Sequence, residues 1–154
     1  MSNAIMGEFE KYYRNMVQFD KYLGMELTIQ APGKISYELE IKPHHLTAPE
    51  SAHGGVTAAM MDATMGLAAL SYAVTKGNLC ATVEFKINYL QQVRPGTILV
   101  SSGWVKHTGE RIIVSRGDIA DKKNGRLIAT GLGTFTQYPM EKRPDIHVSD
   151  KDLK

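Results

Sequence analysis

One carboxylate stands alone in a long apolar stretch of this chain. Residues 54–75 contain a single charged side chain, that of Asp62. Removing an ionised carboxylate from water is costly unless it is paired, hydrogen-bonded or left in contact with solvent. The positions one helical turn from Asp62 are 58, 59, 65 and 66, which hold Ala, Ala, Met and Gly. No Lys or Arg is therefore placed to pair with the carboxylate on this helix. Asp62 is therefore either a structural residue bonded to a nearby backbone or hydroxyl group, or a general base that activates water in a dry cleft.

The residues His53, Gly54 and Gly55 open the same stretch. Glycine lets a ligand approach the backbone closely, so Gly54 and Gly55 are candidate substrate contacts. The free N–H groups of a first helical turn, aligned with the helix dipole, stabilise a developing negative charge. This helix start is a candidate oxyanion hole; the alternative is that both glycines only permit close packing.

The spacing between Gly54 and Asp62 restricts how they can share a site. They are eight residues apart, and a helix rises about 1.5 Å per residue, which separates their Cα atoms by ~12 Å along the axis. An attacking water and an oxyanion donor must both lie within about 3 Å of one carbonyl group. A site that uses both residues must therefore combine Gly54 of one subunit with Asp62 of another. The spacing predicts at least a dimer with two equivalent sites.

The surrounding sequence predicts two helices and six strands. Apolar residues near helical spacing indicate a helix over 8–23 that ends at Gly24, and the long apolar run predicts a buried helix over 53–76. Alternating apolar and polar residues predict strands over 25–31, 34–41, 81–90, 97–107, 111–121 and 126–138. The fold class is therefore α+β, an antiparallel six-stranded sheet wrapped around a long central helix.

Two segments carry more detailed expectations. Residues 43–52 are expected to form an irregular loop between the hairpin and the long helix. In the strand at 81–90, strict alternation places Val83, Phe85 and Tyr89 on one face and Thr82 on the other.

Length and composition indicate one domain. The 154 residues are 43% hydrophobic, which suits a single domain with a real core. Residues 1–7 are expected to be a tag or disordered, 8–138 to form the domain, and 139–154 to form a mobile polar tail.

Charge, cysteine content and motifs exclude several classes of protein. With 18 basic and 16 acidic residues the net charge is +2, which argues against a nucleic-acid binder. The run at 54–75 is rich in Ala, Gly and Thr and contains Asp62, which argues against a membrane span. The single cysteine, Cys80, excludes an internal disulfide and fits the reducing cytoplasm. The five histidines lack metal-ligand spacing and no phosphate-binding glycine motif is present, so no metal or cofactor is expected.

Two stretches taken together, HGGVTAAMMD at 53–62 and TVEFKINYL at 82–90, resemble the hotdog-fold thioesterases, closest to the branch of phenylacetic-acid-pathway enzymes. The similarity covers about residues 22–138. It implies hydrolysis of an aryl- or fatty-acyl-CoA thioester without metal or organic cofactor. It also implies sites at a subunit interface in a homo-oligomer, often a dimer of dimers, that is, a homotetramer.

The resemblance also assigns roles by position. Asp62 would activate or orient the attacking water, and Thr82 would help to hold it. The Gly54 N–H would polarise the thioester carbonyl, and His53 would organise the loop and the start of the helix. This assignment agrees with the two-chain site that the helix spacing predicts.

Two positions depart from the family pattern. Thr47 stands where the family carries an Asn that contacts the thioester, so oxyanion stabilisation is expected to be weaker or differently built. Glu50 stands where a Gly is common, and it is either a second acid or base group or a solvated loop charge.

Further candidates follow from side-chain chemistry. Lys106 and Arg111 flank the turn at 108–110 and are candidate partners for the phosphates of CoA. Met61 and Met65 either line an acyl pocket or pack in the core. Cys80 has no base near it in the sequence that would activate it as a nucleophile.

Two rival functions stay open on the sequence. A domain that binds acyl-CoA as a sensor without hydrolysing it is compatible with Thr47 and Glu50. A dehydratase or hydratase would need a histidine as an acid or base at the helix start, where His53 is the candidate.

Overall fold

The computed structural model describes residues 3–142, in which three α-helices and eight β-strands form one α+β arrangement. The helices are α1 (Asn3–Met16), α2 (Gln18–Leu23) and α3 (Gly54–Ala73), and α3 continues into a 3-10 turn over Val74–Lys76. The strands are β1 (Glu26–Ala31), β2 (Lys34–Glu40), β3 (Leu46–Ala48), β4 (Ser51–Ala52), β5 (Asn78–Tyr89), β6 (Ile98–Thr108), β7 (Ile112–Asp121) and β8 (Leu127–Pro139).

Six strands form one antiparallel sheet around the long helix. Their order is β1-β2-β6-β7-β8-β5, so β1 and β5 are its two edges. The helix α3 packs against β2, β5, β6, β7 and β8. The predicted fold class, an antiparallel six-stranded sheet with a long central helix, is confirmed. None of the helices within residues 3–142 is long and apolar enough to cross a membrane.

The first helix differs from the prediction because the chain bends at Val17. The backbone of Val17 is extended (φ −85°, ψ 97°), so α1 ends at Met16 and α2 begins at Gln18. The bend buries Leu23 and brings the Asp20 carboxylate to the Tyr37 hydroxyl, which donates a hydrogen bond to it at 2.6 Å. As predicted, Gly24 ends the second helix, in the left-handed conformation (φ 77°).

The ends of the predicted domain extend beyond the expected limits. The helix α1 already begins at Asn3, within the segment 1–7 expected to be a tag or disordered, and β8 reaches Pro139. Of the predicted tail at 139–154, residues 143–154 lie outside the described residues, as do residues 1 and 2.

Glycines in the central strands let α3 lie close to the sheet. A Cβ at Gly103 of β6 would lie 2.6 Å from the Thr64 carbonyl oxygen, and one at Gly117 of β7 would lie 2.6 Å from the Met61 sulfur. Larger residues at these two positions would push the helix outward. The strand sequence therefore sets the depth at which α3, and Asp62 with it, sits in the sheet.

Two buried polar side chains of α3, those of Thr64 and Ser71, are hydrogen-bonded. The Thr64 and Ser101 hydroxyls lie 2.6 Å apart, which joins the helix to β6. The Ser71 hydroxyl accepts the Gly33 amide at 3.0 Å and donates to the Ala68 carbonyl. The Thr64–Ser101 and Gly33–Ser71 bonds hold α3 against the sheet at two positions along the helix. Together with the Ser71–Ala68 bond they satisfy polar groups whose burial would otherwise be costly.

A bulge at Val83 in β5 overturns the strict alternation predicted for that strand. Thr82 pairs with Phe135 and Phe85 pairs with Gly133, with a register shift between them. Phe135 and Gly133 face the same side of β8, so Thr82 and Phe85 also share a face, contrary to the prediction. Val83, the extra residue, is 57% exposed. The bulge thereby turns the Thr82 side chain toward α3.

A short hairpin replaces the irregular loop predicted for 43–52. A 3-10 turn over Pro43–His45 leads into β3, which pairs with β4. The Ala52 amide donates to the Val93 carbonyl at 2.9 Å, and the His53 amide donates to the His45 carbonyl at 2.8 Å. These bonds hold the segment that leads into α3.

Candidate active site

The start of α3 is capped by the side chain of His53. Its backbone is extended (φ −66°, ψ 132°), and its Nδ1 accepts the Gly55 amide at 2.8 Å. The Val56 amide donates to the His53 carbonyl at 3.0 Å. The Gly54 amide is left without an acceptor among residues 3–142, so it is free to donate to a ligand. The positive end of the helix dipole reinforces it there.

The ring of Tyr89, at the end of β5, stands over Gly54. Its hydroxyl donates to the Gly54 carbonyl oxygen at 3.1 Å. A Cβ at Gly54 would lie 3.7 Å from the ring, an ordinary contact. Tyr89 thus orients the first peptide of α3, a contact that the sequence analysis missed. Strand alternation gave no signal for it, because the two residues are 35 positions apart in the chain.

Asp62 lies half-buried on α3 and is held by Thr82 of β5. The Thr82 hydroxyl donates to Asp62 Oδ1 at 3.0 Å. The structure thus brings together the two side chains assigned to the attacking water. This bond leaves Oδ2 and the remaining lone pairs of Oδ1 available to a water molecule.

A cleft of about 190 Å³ opens beside this pair. Its remaining walls come from α1, α3, β5 and β8; they are Tyr13, Ala63, Gly66, Leu67, Leu70, Cys80, Ala81 and Phe135. Burial raises the pKa of the Cys80 thiol to about 12, so this thiol is protonated at neutral pH. Cys80 is therefore a wall of the cleft and no thiolate nucleophile.

Tyr13 of α1 is the second residue at this site that the sequence analysis missed. It lines the cleft with Asp62 and also a neighbouring cavity with Asp20 and Tyr37. Burial, reinforced by the Asp20 carboxylate, raises the pKa of the Tyr13 hydroxyl, so it stays neutral. The helical pattern identifies Tyr13 as an apolar-face residue, but only the packing of α1 shows what it faces.

Within one chain, Gly54 and Asp62 contact β5 at well-separated points. Gly54 contacts Tyr89 at the end of the strand, and Asp62 contacts Thr82. Thr82 and Tyr89 are seven positions apart, with six residues between them, which corresponds to ~20 Å along an extended strand. One small carbonyl group cannot reach both from within a single chain.

Thr47 and Glu50 lie on the exposed hairpin before α3. The Glu50 carboxylate forms an ion pair with Arg94 at 3.2 Å, with both side chains more than two-thirds exposed. Its carbonyl accepts the Gln92 side-chain amide. These contacts are those of a solvent-exposed loop charge, which is one of the two alternatives that the sequence left open for Glu50. The Thr47 side chain is exposed and has no hydrogen-bond partner within the described part of the chain.

Four further candidates lie away from the cleft. Met61 and Met65 are fully buried, and both sulfurs face Gly117 of β7. The structure places them in the core and not on the walls of the cleft, since they occupy the faces of α3 turned to the sheet. Lys106 is exposed near the end of β6 and Arg111 directly before β7; in the sheet order these strands are three and two positions from β5.

Metal ligands do not cluster in the described region. Among residues 3–142, no group of three or more His, Cys, Asp or Glu side chains is placed to hold a metal ion.

Comparison with known proteins identifies the family. The model of the thioesterase superfamily matches residues 50–128, which include the capped helix start, Asp62 and Thr82. Human acyl-coenzyme A thioesterase 13 is 30% identical over 117 residues, which cover 75% of this chain and 82% of the human protein. The crystal structure of zebra fish thioesterase superfamily member 2 is 27% identical with a TM-score of 0.75, covering 85% of this chain and 96% of that one.

A further solved structure supports the fold alone. The PaaI protein of the E. coli phenylacetic acid degradation operon has a TM-score of 0.79 at 20% identity, covering 89% of this chain and 95% of PaaI. The resemblance to hotdog-fold thioesterases drawn from two short stretches is thereby confirmed over most of the domain. This chain belongs to the thioesterase superfamily.

Proposed function

We propose that this protein hydrolyses acyl-CoA thioesters at a site shared by two subunits. The observation that carries the proposal is the hydrogen bond from Thr82 to Asp62 at the rim of a cleft. A carboxylate fixed by one donor in such a cleft is suited to orient water toward a bound carbonyl. Membership of the thioesterase superfamily supports a thioester as the substrate.

A two-fold pairing of β5 strands would complete the site. β5 is a long edge strand, and Val83, Tyr89 and Leu90 expose large apolar side chains along it. Such an edge is a template for another strand. If two β5 strands pair antiparallel about Lys86, the bulge at Val83 places Thr82 of one chain opposite residue 89 of the other. Asp62 of one subunit then lies beside the partner's Gly54.

In this arrangement the chemistry divides between the subunits. Asp62 accepts a proton from the water that it holds together with Thr82, and the water oxygen bonds to the thioester carbon. The carbonyl oxygen takes up negative charge, which the partner's Gly54 amide stabilises. The tetrahedral intermediate then collapses, the C–S bond breaks, and CoA leaves as a thiolate that takes up the proton. A thiol has a pKa of about 8.5, so it departs without strong acid assistance.

The remaining candidates have supporting roles in this proposal. His53 fixes the amides at the start of α3, and Gly55 adjoins the bound carbonyl. Lys106 and Arg111 contact the phosphates of CoA, for which exposed cations are suited. Thr47 and Glu50 border the entrance on the hairpin before α3.

Assembly and location complete the proposal. Outward-facing apolar side chains on the sheet, among them Ile112 and Leu132, support a second contact that joins two dimers into a tetramer. The free thiol of Cys80 is consistent with the reducing cytoplasm.

The test is thiol release from a panel of aryl- and fatty-acyl-CoA thioesters. Asp62→Asn keeps a hydrogen-bonding side chain for Thr82 but removes the base, and we expect kcat to fall by ~100-fold or more. Circular dichroism and thermal unfolding check that the variant stays folded. Tight acyl-CoA binding without release by the unaltered protein would contradict the proposal and indicate a sensor. Release unaffected in Asp62→Asn would remove the carboxylate from the mechanism.

A further inference from the structure

A second and larger cavity lies under the N-terminal helix, next to the cleft at Asp62. Its volume is about 320 Å³, and its walls come from α1, the C-terminal half of α3, β5 and β8. Ligand pockets in proteins typically measure ~300–1,000 Å³. The cleft at Asp62, about 190 Å³, is smaller than that on its own.

The two spaces are neighbours that share a wall at Tyr13. Tyr13, Leu70, Cys80 and Ala81 line both of them. A group whose carbonyl is held at Asp62 therefore lies next to the cavity under α1, on the other side of Tyr13. Because the two spaces share these walls, a molecule bound in the cleft also contacts residues that line the cavity.

The walls of the cavity are apolar or aromatic. Phe9 and Met16 of α1 face Leu70, Val74 and Leu79 across it, with Tyr138 at its side. This lining suits a hydrocarbon chain and offers no charged partner for a carboxylate or phosphate. The proton that Tyr13 retains keeps the wall shared by the two spaces free of charge at this residue.

We infer that the cavity under α1 binds the acyl chain, and that the substrates are fatty acyl thioesters too long for the cleft alone. The inference rests on the proposed thioesterase function and names its substrate class. Each methylene buried in the cavity is expected to raise kcat/KM by up to about fourfold until the space is full. The α1 helix would therefore set the preferred chain length.

Val74 provides the test, because it lines the cavity under α1 and does not line the cleft. Val74→Phe fills the cavity, and we expect it to lower kcat/KM for dodecanoyl-CoA at least ~10-fold more than for butanoyl-CoA. Val74→Ala enlarges it and is expected to move the optimum to longer chains. The matched control is Val114→Phe, the same exchange on the outer face of β7, which is expected to leave the chain-length profile unchanged.

The outcomes separate this inference from the function on which it rests. Thiol release that depends on Asp62, with a chain-length profile unmoved by both Val74 variants, would overturn the acyl-chain pocket alone. An equal effect of either variant on both substrates would also overturn it. Absence of any thiol release would instead remove the proposed function. If Val74→Phe does not fold, Val74→Ala alone decides, since it adds no bulk.

Discussion

Three backbone amides at the start of α3 differ in what they can bind. Those of Gly55 and Val56 donate to the Nδ1 and the carbonyl of His53. The Gly54 amide has no acceptor in the part of the chain that the structure describes, while the Gly54 carbonyl accepts the Tyr89 hydroxyl. His53 thus selects, through its own hydrogen bonds, which amide is left for a substrate oxygen.

Gly54→Pro removes that amide with little other change. Proline is well tolerated at the first helical position, and His53 already has the extended backbone that favours a following proline. We expect kcat for thiol release to fall by ~100-fold or more, as when one oxyanion donor is lost. Gly54→Ala keeps the amide and is expected to lose far less. A folded Gly54→Pro protein with near-normal kcat would exclude the amide from catalysis.

The segment that leads into α3 depends on a buried histidine. The His45 side chain is 1% exposed; its Nδ1 accepts the Lys42 amide at 3.1 Å, and its carbonyl accepts the His53 amide. Burial, together with the nearby charges of His44 and Lys42, lowers the pKa of His45. The neutral imidazole is the form that can accept at Nδ1, so the helix start depends on its protonation state.

The stability of the fold is expected to depend on His45 below about pH 6.5. Its pKa is lower in the folded than in the unfolded chain, so the unfolded chain binds more protons as the pH falls through 6.5. The free energy of unfolding should therefore decrease between pH 7.5 and 5.5, measured by chemical denaturation. His45→Asn preserves an acceptor that cannot titrate and should flatten this dependence. His107→Asn, at an exposed site on β6, should not; equal slopes for both variants would contradict the assignment.

The proposed pairing of two chains rests on where β5 lies in the sheet. It is an edge strand that contacts Asp62 through Thr82 and, at its end, Gly54 through Tyr89. These two contacts are ~20 Å apart along the strand. A two-fold axis near its middle exchanges them, and this operation is the simplest one that brings the two halves of the proposed site together.

Complementation tests the shared site. Asp62→Asn and Gly54→Pro impair opposite halves of it, so a mixed dimer carries one intact site and one site with both lesions. With random pairing of equal amounts, half the dimers are mixed, and we expect ~25% of unaltered activity to return. The two variants are refolded together and assayed for thiol release.

A matched control keeps both lesions in the same half of the site. When the Asp62→Asn and Thr82→Val single variants are refolded together, every site of a mixed dimer carries one of the two lesions. We therefore expect no recovery of thiol release. A mixture of Asp62→Asn with Gly54→Pro that stays as inactive as its components would show that each chain acts alone.

Local pattern was sufficient for the features that lie within one element. The buried helix, its glycine-rich start and its single carboxylate are adjacent in the chain, and the rise of a helix already separates Gly54 from Asp62 by too great a distance for one site. The six strands of the large sheet were equally predictable, because each of them alternates or is bounded by turn residues; the bend at Val17 and the short pair β3-β4 were not. The assignment of Thr82 to one face was wrong, because a bulge depends on pairing with β8 and leaves no mark in the alternation.

The sequence by itself determined that a lone carboxylate lies on a buried helix of an α+β domain, because helix periodicity and burial are local properties; from the same helix geometry it predicted a site shared by two chains. Only the tertiary structure decided which groups meet: Thr82 with Asp62, Tyr89 with Gly54, and Tyr13 between the cleft and the cavity under α1. The tertiary structure also decided between the two roles open for Met61 and Met65, since both side chains are buried in the core. These contacts join residues distant in the chain, and packing against other elements, not spacing, sets them.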